Sequence, residues 1–166
     1  MYTKNLWLMR HAKAEDSAET DFERSLTQKG IETAITMSGL LKGLNLAPEV
    51  FLSSPANRAK ETALNVKTAA EIAAEIIFDT RIYEASAEVL LKVISEIDDS
   101  CETLFLVGHN PGFEVLIRDL TSQIETFPTA AIAQIELDIE SWEQVDVECG
   151  QLKYVFKPKE VIGFRR

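Results

Sequence analysis

Leu6-Trp7-Leu8-Met9-Arg10-His11 decides how this chain is read: four apolar residues run without a break and stop at a cation followed by an imidazole. A short continuous apolar run fits a strand buried on both faces, as in a parallel sheet covered by helices. The pattern returns twice. Val50-Phe51-Leu52 is followed by Ser53-Ser54-Pro55, and Thr103-Leu104-Phe105-Leu106-Val107 by Gly108-His109-Asn110-Pro111. In open α/β sheets, ligands bind in the crevice at the carboxyl ends of the strands. Both histidines of the chain stand at such ends.

The segments between these strands carry helical periodicity. Ile31, Ala34, Ile35, Ser38 and Leu41 share one face, with Thr27 as the expected N-cap. Ala59, Ala63, Val66, Ala70 and Ala73 mark a second helix with a small-residue face, and Val89, Leu90, Val93, Ile94 and Ile97 a third. Phe113, Leu116, Ile117 and Leu120 mark a fourth that opens at Pro111, with Asn110 as its N-cap. After Pro128 the period becomes two: Ala133, Ile135, Leu137 and Ile139 alternate with polar residues. A partner strand with Leu152, Tyr154 and Phe156 follows a turn near Gly150. Residues 1–166 therefore read as one α/β domain with no repeat, linker or low-complexity stretch, finishing in a strand pair.

Composition narrows the functions. With 166 residues, 46% hydrophobic and 27% charged, the chain suits a globular domain with a real core. No apolar run approaches the roughly 20 residues of a membrane span. No N-terminal segment has the form of a secretory signal, so a cytoplasmic setting is expected. The two cysteines, Cys101 and Cys149, are read as free thiols. The net charge of −10 opposes nucleic acid and anionic lipid alike. The lone run of basic residues is the terminal Arg165-Arg166 pair. Any phosphate site must then be a local basic pocket in an acidic surface.

Three strand ends bring Arg10-His11, Ser53-Ser54-Pro55 leading to Arg58, and Gly108-His109 toward one place. These residue types suit phosphoryl transfer. A neutral imidazole attacks phosphorus and splits the reaction through a phosphohistidine intermediate. Guanidinium groups grip phosphate oxygens two at a time and stabilise the charge of the transition state. Arg58 falls in the first turn of its helix, where backbone N–H groups and the helix dipole favour an anion. No glycine-rich nucleotide loop is present. Neither histidine has another histidine or a cysteine at i+3 or i+4, so no metal or other cofactor is expected.

Leu8-Met9-Arg10-His11-Ala12-Lys13-Ala14 resembles the opening signature of the histidine phosphatase superfamily in its SixA-type phosphohistidine phosphatase form. Ser53-Ser54-Pro55-Ala56-Asn57-Arg58-Ala59-Lys60-Glu61-Thr62-Ala63 is similar to its second motif, with arginine and threonine at the expected spacing, and Val107-Gly108-His109-Asn110-Pro111 to its third. Arg24-Ser25-Leu26-Thr27-Gln28-Lys29-Gly30 resembles the segment opening the first helix, with Ser25 where proline is usual. Phe127-Pro128-Thr129-Ala130-Ala131 is similar to a segment common in the SixA-type subgroup.

The resemblance implies a three-layer α/β/α fold with a central, mostly parallel sheet of phosphoglycerate mutase-like type. It implies His11 as nucleophile, with Arg10, Arg58 and His109 holding the phosphoryl group. Ala12 stands where the wider superfamily has glycine, a replacement frequent in the subgroup. Glu84 stands where many relatives keep a proton donor. It is either that donor, its pKa raised by burial, or an exposed glutamate beginning a helix. Arg24 either contacts substrate near the mouth or bridges Asp21 or Glu23.

Substrate class follows from the short stretch Thr80 to Glu102, since larger relatives acting on sugar phosphates insert a cover over the pocket there. A bare site suits phosphohistidine displayed on a protein, such as a histidine phosphotransfer domain. Two alternatives stay open: a small-molecule phosphomonoesterase of the same fold acting on a small phosphate ester, and a non-catalytic module that binds phosphoproteins. A binding module has no need of a nucleophile, and a mutase needs a more enclosed site.

Overall fold

The apolar run that opens the chain becomes β1 (Lys4–Arg10), an interior strand of a six-stranded sheet. The computed structural model describes residues 4–163, and the Arg165-Arg166 pair lies outside them. The other strands are β2 (Val50–Ser53), β3 (Ile76–Phe78), β4 (Thr103–Gly108), β5 (Ile132–Leu137) and β6 (Gly150–Phe156). Their order across the sheet is β3-β2-β4-β1-β5-β6. The β3–β2, β2–β4 and β4–β1 pairs are parallel, and β5 and β6 join antiparallel at one side.

Helices cover both faces of this sheet, which explains the continuous apolar runs. In β1, Leu6 and Leu8 enter one core while Trp7 and Met9 enter the other. In β4, Leu104 and Leu106 separate from Phe105 and Val107 in the same way. Helices α1 (Gln28–Gly43) and α2 (Asn57–Ala69) cover the Trp7 face, and α3 (Ala87–Ser95) and α4 (Gly112–Thr121) the Leu6 face. A short α5 (Pro158–Gly163) packs on α1. This is the three-layer arrangement expected.

Helical faces follow the sequence pattern most closely where side chains are large. Phe113, Leu116, Ile117 and Leu120 are fully buried, each contributing about 2 kcal/mol of transfer free energy. On α1 the buried stripe is Gly30, Ala34, Met37, Ser38 and Leu41, and Ile35 is exposed. Thr27 caps that helix by accepting the Gly30 N–H at 2.9 Å. Ala73 lies past the end of α2 and Ile97 past α3, while Val89 on α3 is exposed.

Two strand-end details differ from expectation. Asn110 is not the N-cap of α4: that position is Pro111, and the Asn110 amide donates instead to the Phe127 carbonyl at 2.8 Å. No tight turn joins the last strands. A 3-10 turn at Trp142–Gln144 intervenes, and a bulge between Gln134 and Ile135 shifts the register. The shift puts Leu152 in one core and Phe156 in the other, so their alternation is irregular.

Candidate active site

A cavity of about 690 Å³ opens at the carboxyl ends of β1 and β4, with Arg10, His11, Arg58, Glu84 and His109 in its wall. Arg10 pairs with Gly108 across the two strands, so the two histidines emerge side by side. Their ring centroids are 5.2 Å apart. Arg58 reaches the cavity from the first turn of α2, whose N-cap, Ala56, has no side-chain acceptor to offer. Within that turn the Ala59 and Lys60 N–H groups donate to the Ala56 carbonyl at 3.0 and 2.9 Å, and the helix dipole favours an anion at its start.

The Phe127–Ala131 segment braces the Arg10-His11 corner. The Ala130 N–H donates to the carbonyls of Arg10 and His11 at 3.1 and 3.0 Å, and the Arg10 N–H to Ala131 O at 3.1 Å. Ala130 takes a left-handed conformation, φ 64°, to aim that N–H. Such backbone is uncommon for a residue with a side chain and persists where surrounding structure enforces it. Arg10 Nη1 donates to Phe127 O at 3.2 Å, which turns the guanidinium along the same segment. The Arg10 Nε is buried without a protein partner.

Hydrogen bonding sets the state of His11. Nδ1 lies 2.8 Å from the Ala12 carbonyl, which can only accept, so Nδ1 carries the proton and Nε2 the free lone pair. Burial, and then the charges of Arg10, Arg58 and Arg24, push the pKa of His11 down to about 4 against the opposing pull of Ala12. At neutral pH the ring is uncharged, with the Nε2 lone pair free.

His109 follows a related logic. Its Nε2 is 2.7 Å from Ser54 Oγ, and that oxygen already accepts the Ala56 N–H at 3.2 Å. In the tautomer that places the serine proton on Nε2, the ring proton is on Nδ1, which is buried with no protein partner. A buried N–H needs an acceptor, and a phosphoryl oxygen offers one. Burial, His11 and Arg58 depress the pKa of His109 to about 3, with Asp21 opposing.

Glu84 reaches the cavity wall, exposed and in a left-handed turn at φ 54° between a 3-10 turn and the Ser86 cap of α3. It is the exposed glutamate of the two readings rather than a buried one. Arg24 bridges Asp21 at 3.0 Å, one of its two readings, and lines the cavity. Asp21 and Tyr83 were not singled out as site residues from sequence. The Asp21 carboxylate accepts from Arg58 at 3.0 Å and from the Tyr83 hydroxyl at 2.6 Å. The tyrosine hydroxyl, ahead of Arg58 and Arg24, holds Asp21 at about 2. Spacing held one clue, since Asp21 stands three residues before Arg24 at the start of a turn. Among the described residues, no group of three or more His, Cys, Asp or Glu side chains gathers as a metal site requires.

Residues 6–105 match the histidine phosphatase superfamily, branch 1. The chain belongs to that superfamily. It is 30% identical over 156 residues to the protein Rv1276c of Mycobacterium tuberculosis, covering 87% of this chain and 96% of that one. Phosphohistidine phosphatase SixA of Escherichia coli is 29% identical over 144 residues, covering 80% and 85%. The fold superimposes on the protein histidine phosphatase SixA complexed with tungstate with a TM-score of 0.83, at 23% identity, covering 95% and 99% of the two chains. The fold is thus phosphoglycerate mutase-like, and phosphatase activity follows from the family.

Proposed function

We propose that this phosphatase takes the phosphoryl group from phosphohistidine on a protein, through a phosphohistidine intermediate on His11. One observation carries the reading: a neutral His11 Nε2 faces a cationic pocket whose exposed Glu84 lacks the burial a neutral-pH proton donor requires. Arg10 and Arg58 hold the phosphoryl oxygens, and His109 donates its Nδ1–H to one of them. The Nε2 lone pair of His11 attacks phosphorus in line as the bond to the leaving group breaks. Water then hydrolyses phospho-His11. An alkoxide leaving from a sugar phosphate would need a strong donor in the pocket. A protonated imidazole leaves without one, which favours phosphohistidine over small phosphate esters.

The likeness to SixA of Escherichia coli supports the same choice. A histidine phosphotransfer domain fits as partner, because the segment between β3 and β4 that borders the pocket is only the short stretch from Thr80 to Glu102. A cytoplasmic setting accords with the unpaired thiols of Cys101 and Cys149. Among the described residues, no helix is long and apolar enough to cross a membrane.

The test is acid-labile phosphate trapped on His11 during turnover of a phosphohistidine protein, compared with small phosphate esters. His11→Ala should abolish phosphate release while leaving the melting temperature near that of the parent. Turnover that persists in folded His11→Ala defeats the mechanism. Faster turnover of the esters defeats the substrate assignment.

A further inference from the structure

Asp21 places a carboxylate in the wall of a pocket otherwise built to attract phosphate. Its Oδ2 takes Arg58 Nη2 at 3.0 Å and the Tyr83 hydroxyl at 2.6 Å, and its Oδ1 takes Arg24 Nη1 at 3.0 Å. The Asp21 carbonyl accepts Arg58 Nη1 at 2.9 Å as well. The side chain remains 44% exposed, so the carboxylate meets whatever enters the cavity.

For a phosphate ester this arrangement is adverse. The carboxylate engages part of the Arg58 fork and repels a dianion. The two carboxylate oxygens divide this work, Oδ2 taking Arg58 and Tyr83 and Oδ1 taking Arg24, and a lone pair is left for a further donor. The charge becomes useful when the substrate brings a positive N–H beside its phosphoryl group. A phosphorylated imidazole protonated on its distal nitrogen is such a group.

We propose that Asp21 accepts a hydrogen bond from the distal N–H of the substrate's phosphorylated imidazole, and so selects P–N substrates over phosphate esters. This inference rests on the phosphohistidine reading of the same site. His11 Nε2 forms its bond to phosphorus as the bond between phosphorus and the substrate ring breaks. The bonding pair stays on the departing nitrogen. The proton already on the distal nitrogen leaves with the ring, which departs as neutral imidazole. Asp21 stays ionised throughout and gains no proton. Water then displaces His11 from phosphorus, the pair returns to Nε2, and the proton lost by water passes to solvent.

The experiment compares Asp21→Asn with the parent on phosphoimidazole and on p-nitrophenyl phosphate. Loss of a charge-assisted hydrogen bond should lower kcat/KM for phosphoimidazole about tenfold. Loss of the repulsion should raise kcat/KM for p-nitrophenyl phosphate about threefold and tighten inhibition by orthovanadate. Asp21→Glu, which keeps the charge, should keep the parent's preference. An equal fall on both substrates would mean that Asp21 only orders Arg58, and it would overturn the proposal, as would no change on either. A parent enzyme that hydrolyses p-nitrophenyl phosphate but not phosphoimidazole overturns the phosphohistidine reading itself, and this inference with it.

Discussion

The backbone N–H of Ala12 donates to the hydroxyl oxygen of Thr62 at 3.0 Å, joining residues fifty positions apart. Thr62 in turn donates to the Arg58 carbonyl at 2.6 Å, and its side chain is fully buried. One hydroxyl therefore fixes the proposed nucleophile's loop against the turn that carries Arg58. Thr62→Val leaves the Ala12 N–H without its acceptor and should cost about 1–3 kcal/mol in stability. The few tenths of an ångström of slack should lower kcat/KM about tenfold. Thr62→Ser should restore most of both, and denaturant melts paired with steady-state kinetics check it.

The pH behaviour follows from the two depressed histidines. The proposed mechanism uses neutral His11, whose pKa is moved from 6.5 to about 4 by burial and neighbouring arginines. Activity should hold level on the acid side down to about pH 5, then fall about tenfold per unit once His11 protonates. Stability has the same sign over a wider window. Unfolding returns His11 and His109 toward 6.5 from about 4 and about 3. The unfolded chain binds more protons between those values, so this stability is intact above about pH 6.5 and is lost, by a few kcal/mol, as pH falls toward 3. Denaturant melts from pH 8 to pH 4 measure it. Activity that falls as pH drops through 6.5 would contradict the assigned state of His11.

Gly30 sits where the first turn of α1 meets the loop after His11. A Cβ there would collide with the Lys13 carbonyl oxygen, which also accepts the Thr27 N–H at 3.0 Å. Backbone cannot yield as a flexible side chain does. Gly30→Ala should destabilise by about 1–3 kcal/mol and lower activity by displacing the loop. Thermal melts and kinetics on the folded fraction separate the two effects.

Glu84→Gln tests whether the pocket supplies a proton. With Glu84 exposed on the wall and the leaving ring bringing its own proton, kcat/KM for phosphoimidazole should change by less than about threefold. A fall of about a hundredfold, the usual effect of losing a general acid, would assign Glu84 the donor role.

Much of this was legible in the chain before any coordinates. The runs at Leu6–Met9 and Leu104–Val107 announced strands buried on both faces, because alternate residues enter two cores and none may be polar. Arg10, His11, Arg58 and His109 were visible because strand ends and a helix start are local features. Less legible was anything set by long-range geometry. Asn110 looks like an N-cap until the Phe127 carbonyl competes for its amide. Ile35 fits the stripe of α1 by spacing but faces outward, since Met37 takes the core position. Asp21 joins the site only because Arg58 and Tyr83, 37 and 62 residues distant, arrive beside it.

The pairing of Arg10 with Gly108 puts both histidines at the ends of the two central, buried strands of the sheet. Amide exchange in such interior strands requires opening close to global unfolding. The edges, β3 and β6, can fray without disturbing the histidine pair. Inactivation by heat or denaturant should therefore coincide with global unfolding, and partial proteolysis at the sheet's margins should leave the chemistry running.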